Sequence, residues 1–133
     1  MVVCDGVELR APLRAFLDGY DGPRPQYRIE LVLRGDLLTA TGMDVFDALM
    51  GLREQLEPRG CAVAVQGARR DAWPSGMTRD MEHARRVYIM RPGVKTSLAD
   101  LVATLADAPV ELLGTIAEQE EHRDLCYGRP RQG

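Results

Sequence analysis

The residue types able to do chemistry gather in one segment. Residues 66–84, nineteen in all, lie between two strand-like runs and hold Arg69, Arg70, Asp71, Trp73, Ser75, Met77, Arg79, Asp80 and His83. Connections longer than about 12–15 residues are uncommon in compact domains and are usually functional or disordered. This one has the composition of an ordered segment, because it carries the only tryptophan and charges of both signs. Two kinds of chemistry fit. The arginines could clamp an anionic substrate, with Asp71, Asp80 or His83 as acid or base. Alternatively, Trp, Met and Arg, the types enriched where proteins touch, could form a contact surface. Arg69, Arg70, Asp71, Trp73, Ser75, Met77, Arg79 and Asp80 are therefore the candidate binding residues. Trp73-Pro74-Ser75-Gly76 fits a type I turn. With no ladder to hold the segment, its order should come from within. Trp73 is expected as a buried anchor, Arg70 or Arg79 paired with Asp80 or Asp71, and Arg69 exposed.

Tests for a catalytic constellation fail. Ser75 sits in Pro-Ser-Gly-Met, without the GxSxG spacing of a nucleophile elbow and with no strand leading straight into it. His83 has no indicated partner, and a lone loop histidine is ordinarily solvated. Gly67 stands alone, so there is no phosphate-cradling loop. Glu118 and His122 are four apart on a helix, but the ExxH pattern of di-iron bundles would need a glutamate where Gln119 stands. No catalytic residue, metal or cofactor is assigned.

The three cysteines, Cys4, Cys61 and Cys126, are far apart, with no CxxC pair and no histidine at ligand spacing. They read as free thiols of a cytoplasmic protein. The N-terminus holds Asp5, Glu8 and Arg10, so it is not expected to supply the apolar stretch of a signal peptide. No apolar run approaches the 18 or so residues of a membrane span. Arginine outnumbers lysine sixteen to one and asparagine is absent, the signature of a GC-rich bacterial genome. Many arginines therefore stand where lysine would serve, which weakens any nucleic-acid reading. So does a net charge of −3 with no aromatic platform beside the loop arginines. The charge is segregated: residues 69–95 carry seven bases against three acids, and 98–128 carry seven acids against one base. Such blocks either steer a charged partner or attract each other.

The positioning elements follow from periodicity. The chain's 133 residues make one domain, with 45% apolar residues and an aliphatic core. Val7–Arg10 alternates like a short edge strand, Leu13–Leu17 suggests a helical turn, and 27–33 is a strand with Tyr27, Ile29, Leu31 and Leu33 on one face. Thr41 and Asp44 resemble a capping box before a helix over 42–57, whose Val45, Leu49, Leu52 and Leu56 share one stripe. Gly60 suits a left-handed cap. Residues 61–65 read as a buried strand, which would make 27–65 a right-handed βαβ unit with parallel strands. A strand at 86–90 follows, then a helix capped by Thr96 or Ser97 with Leu98, Leu101, Val102 and Leu105 on one face. Pro109 opens a turn through Gly114. A capping box at Thr115–Glu118 starts an acidic helix to about Tyr127, and the tail from about 128 should fray. The expected fold is α+β: a mixed sheet of three or four strands containing the βαβ unit, helices mainly on one face.

The run Gly67-Ala68-Arg69-Arg70-Asp71, then Trp73-Pro74-Ser75-Gly76-Met77, then Arg79-Asp80-Met81 before the Val87-Tyr88 strand resembles a family of small bacterial proteins. Its members carry Gly-Ala/Ser-Arg, an aromatic-Pro-Ser-Gly-Met-x-Arg segment, a glycine-rich tract and Ala-Tyr in a strand. The resemblance spans about residues 60–125 and departs at Glu82-His83-Ala84, where relatives carry glycines. The family is similar to immunity-type proteins encoded beside polymorphic toxins. The resemblance implies a binder with no reaction of its own, whose partner would be a protein. From the residues the chain is expected to be cytoplasmic, with no membrane or nucleic-acid role, and a structural or self-assembling subunit, a homo-oligomer, is a further expectation. The rival expectation is a small enzyme or ligand-binding protein that holds an anion on its arginines. The acidic C-terminal helix is a second candidate surface, complementary to a basic nuclease.

Overall fold

A computed structural model describes residues 1–128. The chain opens with a hairpin. β1 (Val2–Cys4) turns at Asp5-Gly6 into β2 (Val7–Leu9). Both turn residues have positive φ, 49° and 81°, the conformation that makes Asp-Gly a hairpin signal. A second meander follows: β3 (Leu13–Asp21), β4 (Arg24–Leu33) and β5 (Asp36–Gly42), all antiparallel. α1 (Val45–Leu56) then leads to β6 (Cys61–Val63). The remainder is β7 (Ala72–Trp73), α2 (Gly76–Glu82), β8 (Arg86–Ile89), β9 (Leu101–Ala103) and α3 (Ile116–Cys126).

The α+β class is as expected. The mixed sheet with its parallel βαβ unit is not. The described strands form three antiparallel sheets of three, ordered β2-β1-β6, β3-β4-β5 and β7-β8-β9. β4 and β6 lie in different sheets. The reason is β5, which the sequence reading passed over. Its Leu38 and Ala40 face the core while Thr39 and Thr41 face out, so β4 returns on itself through Arg34-Gly35 before any helix begins. β6 instead pairs with the N-terminal β1, Val2 opposite Val63.

That pairing also overturns the reading of the cysteines. Cys4 stands opposite Cys61, and the two form a disulfide, leaving Cys126 free. The bonds Asp5 N–H to Gly60 O and Ala64 N–H to Met1 O make Cys4–Cys61 a non-hydrogen-bonded pair, the kind in which facing Cα atoms approach most closely. No local spacing rule reveals partners 57 residues apart.

Three further expectations give way. Leu13–Leu17 is strand, not helical turn, held by pairing with β4. Residues 98–105 are a 3-10 turn capped by Ser97 and then β9, which pairs with β8; Leu98, expected on a buried stripe, is 79% exposed. In place of the Trp73–Gly76 turn, Trp73 ends β7 and Gly76 begins α2, with Ser75 as its cap. The expected fraying of the tail falls on residues beyond those described.

α1 is the hub. Its cap is Asp44, whose carboxylate accepts the Asp47 N–H at 2.7 Å. Val45, Ala48, Leu49, Leu52 and Leu56 pack on Ile29, Leu31, Leu38 and Val63 in the larger core. Each such fully buried leucine contributes about 1.5–3 kcal/mol. Phe46 points the other way, into a second cluster with Ala72, Ala84 and Val87. Gly60 ends the helical stretch at φ 70°, the left-handed cap expected of it.

Candidate interaction surface

Residues 66–84 are not a free loop. A 3-10 turn at Gln66–Ala68 leads into β7, which pairs with β8 through Ala72–Ile89 and Trp73–Tyr88. A ladder therefore helps hold the segment, against expectation.

The candidate residues divide into two groups, and the larger group holds the fold. Arg69 grips its neighbour: Nε and Nη2 donate to the two carboxylate oxygens of Asp71, both at 2.9 Å, and Nη1 donates to Gln66 Oε1 at 3.0 Å. This fork is the strong geometry for an arginine–carboxylate pair. The Arg69 side chain is only 16% exposed, so its expected role as a free contact is corrected. Arg79 donates to Asp44 Oδ2 at 2.8 Å, not to Asp71. The two oxygens of the buried Asp44 thus tie α2 to the start of α1. Ser75 Oγ accepts the Thr78 N–H at 3.1 Å and caps α2. Trp73 is half-buried rather than fully so. Its ring meets Phe46 edge-on, 5.0 Å between centroids, and the Arg123 guanidinium lies 4.6 Å over it.

Half-burial sets the size of the effect expected at Trp73. Trp73→Ala should lower stability by about 2–3 kcal/mol, below the 3–5 typical of a fully buried ring. Urea unfolding measures this directly. An unchanged midpoint would mean that Phe46 and Arg123 gain nothing from the indole.

The second group faces outward. Arg70, Met77 and Asp80 are exposed. Met77 is 70% exposed and Met81, four residues later on the same helix face, 76%. Arg70 borders a shallow groove against Glu118, His122 and Leu125 of α3. The loop arginines do not converge: Arg69 is turned onto Asp71, Arg79 onto Asp44, and Arg70 lies beside α3.

No acid–base pair assembles from the remaining candidates. His83 ends α2 with φ 55°, and its ring sits 5.5 Å from that of Tyr27. His122 Nε2 lies 2.7 Å from the Met90 carbonyl. Glu118 is engaged in the capping box with Thr115. Burial, and then the charge of Asp71, push the Cys126 thiol up, away from a reactive thiolate. Among the described residues no three His, Cys, Asp or Glu side chains are grouped to hold a metal.

Sequence reasoning missed the most tightly built polar site. Gln119, fully buried, donates from Nε2 to the carbonyls of Gly67, Arg69 and Ala72 at 2.9, 3.0 and 2.8 Å. Its Oε1 accepts from Arg53 Nη1 at 2.5 Å, and Arg53 Nη2 donates to Gly114 O at 2.9 Å. Desolvation pushes the Arg53 guanidinium down to about 10, while Glu57 and Glu120 act in the opposite sense. The signal was present: Leu49, Leu52, Arg53 and Leu56 follow at i, i+3, i+4, i+7, placing a charge on the apolar stripe. Arg53 also borders a cleft of about 430 Å³ with Cys61, Leu113 and Thr115 on its walls, none of them a loop candidate.

No helix of the described residues is long and apolar enough to cross a membrane. Comparison with family models finds no match, and comparison with curated proteins finds none either.

Proposed function

We propose that the protein is a small binding protein of the immunity type, which neutralises a toxin by occupying its surface and carries out no reaction of its own. One observation carries this reading. α2 is fixed from behind by its Ser75 cap, by buried Thr78 and by the Arg79–Asp44 pair, and it presents Met77 and Met81 outward with no core role. A rigid scaffold that displays two flexible, polarisable side chains suits adaptable protein contact. Asp80, exposed on the same helix, is the charged member of that surface, while Arg70 is exposed beside α3. The rival reading, a small enzyme or ligand-binding protein, requires the loop arginines to meet in a concave site, and they face three different neighbours. The acidic α3 is a weaker candidate surface, because Glu118 is spent on its cap and Asp124 on Arg123.

The proposal includes a cytoplasmic place of action. Disulfides are rare there, so the bridge must be shielded from thiols, and Cys4 and Cys61 are 2% and 5% exposed. The functional test is co-expression with the product of an adjacent large secreted-toxin gene. Cells should survive with the native protein and die with Met77→Lys/Met81→Lys. Survival without the protein, or equal protection by the double variant, would overturn the reading.

A further inference from the structure

We propose that the free edge of β3 is an interface between two copies of this chain, their β3 strands paired antiparallel about a two-fold axis at Phe16. β3 is the outer strand of its sheet and nine residues long. Long edges are templates for a further strand unless something covers them. α1 packs chiefly on β5 and β4. Ala15 and Leu17 share the core-facing side with Ile29 and Tyr27, opposite which they stand. Yet Leu17 is 44% exposed, against 0% for Ile29 and 3% for Tyr27. The apolar face therefore continues past the edge of its cover.

The backbone parity is fixed. The Val32 N–H donates to Pro12 O at 3.1 Å, so residues 12, 14 and 16 bond inward to β4. Residues 13, 15 and 17 then turn their N–H and C=O groups to the open edge. Two copies centred on Phe16 bring Ala15 into hydrogen-bonded register with Leu17 of the second copy. Arg14 comes to face Asp18 of the second copy, and symmetry repeats the pair. Both side chains are available: Arg14 is exposed, and Asp18 has only a loose 3.6 Å contact with Arg28. The strand is thus complementary to itself in charge, where like charges directly opposite would repel. Asp18 is the extra residue of a bulge between Leu17 and Gly19, which ends the regular register there, and its contact with Arg28, opposite Phe16, keeps its carboxylate on the Arg14 face. The bulge confines pairing to one isologous, closed contact.

The interface is on a different surface from α2, so its test is independent of the toxin-binding proposal. Sedimentation equilibrium over a concentration series should find the native protein at the mass of two chains. Ala15→Pro deletes an edge-facing N–H while sparing the β4 ladder, a placement proline tolerates on an edge strand. It should yield a folded monomer, with circular dichroism and the thermal midpoint near native. Should that variant fail to fold, Arg14→Asp decides: it sets like charges opposite each other and should also give a monomer. A native protein that is monomeric throughout, or a dimer indifferent to both substitutions, overturns the proposal. Loss of the dimer in Ala15→Pro with Arg14→Asp still dimeric overturns the Phe16 register.

Discussion

Gln119→Ala is expected to lower the unfolding free energy by about 3–5 kcal/mol, the scale for breaking a buried polar network that includes a charge. The amide's two N–H groups serve three carbonyls, those of Gly67, Arg69 and Ala72, and its oxygen serves Arg53. Truncation takes a partner from all four at once, although the Arg69 carbonyl keeps the Ala72 N–H at 3.2 Å. The guanidinium suffers most, since Arg53 is 4% exposed and its remaining oxygen acceptor is the Gly114 carbonyl. The network joins α1, α3 and the segment carrying β7, so its loss should also loosen the base on which α2 stands. Urea unfolding should show a lower midpoint at an unchanged slope. A loss below about 1 kcal/mol would mean that water replaces the amide, in which case the site is not dry.

Removing the bridge with Cys4→Ala/Cys61→Ala should cost about 4 kcal/mol, the chain-entropy value for a closed loop of this span. The bridge closes 57 residues that include the whole β3-β4-β5 meander and α1. Alanine fits the small, buried space that each sulfur occupies, so the change acts mainly on the unfolded chain. Thiol titration of the unfolded, unreduced protein checks the premise: one reactive group, Cys126, is expected. Three would mean that the facing cysteines stay reduced and that the substitution loses little.

The elements readable in the sequence are those whose signal is local. β4 alternates cleanly, α1 carries its stripe, Gly60 stops it, and the Thr115–Glu118 box starts α3. The failures lie where a distant partner decides. Leu98, Leu101, Val102 and Leu105 have helical spacing, but the ladder to β8 takes Leu101 and Val102 into a strand. β6 reads as buried strand in isolation, and nothing in its own residues names β1 as its neighbour. In the 66–84 segment, the residue types correctly indicated order. Their roles were misread because Arg69 and Asp71, two apart, satisfy each other, and because Asp44, far upstream, claims Arg79. Met77 and Met81 have no charge to neutralise and stay exposed, and of the two only Met77 stands among the candidates read from the sequence.

Titration calorimetry is the most direct test: the purified domain of the proposed toxin is titrated into the native protein and into Met77→Lys/Met81→Lys. Both side chains are exposed, so the variant's stability should stay within about 0.5 kcal/mol of native. If α2 is the contact surface, Kd should rise at least about thirtyfold, the scale of a hot-spot loss of 2 kcal/mol. An unchanged Kd, at unchanged stability, would contradict the account and move the contact away from α2.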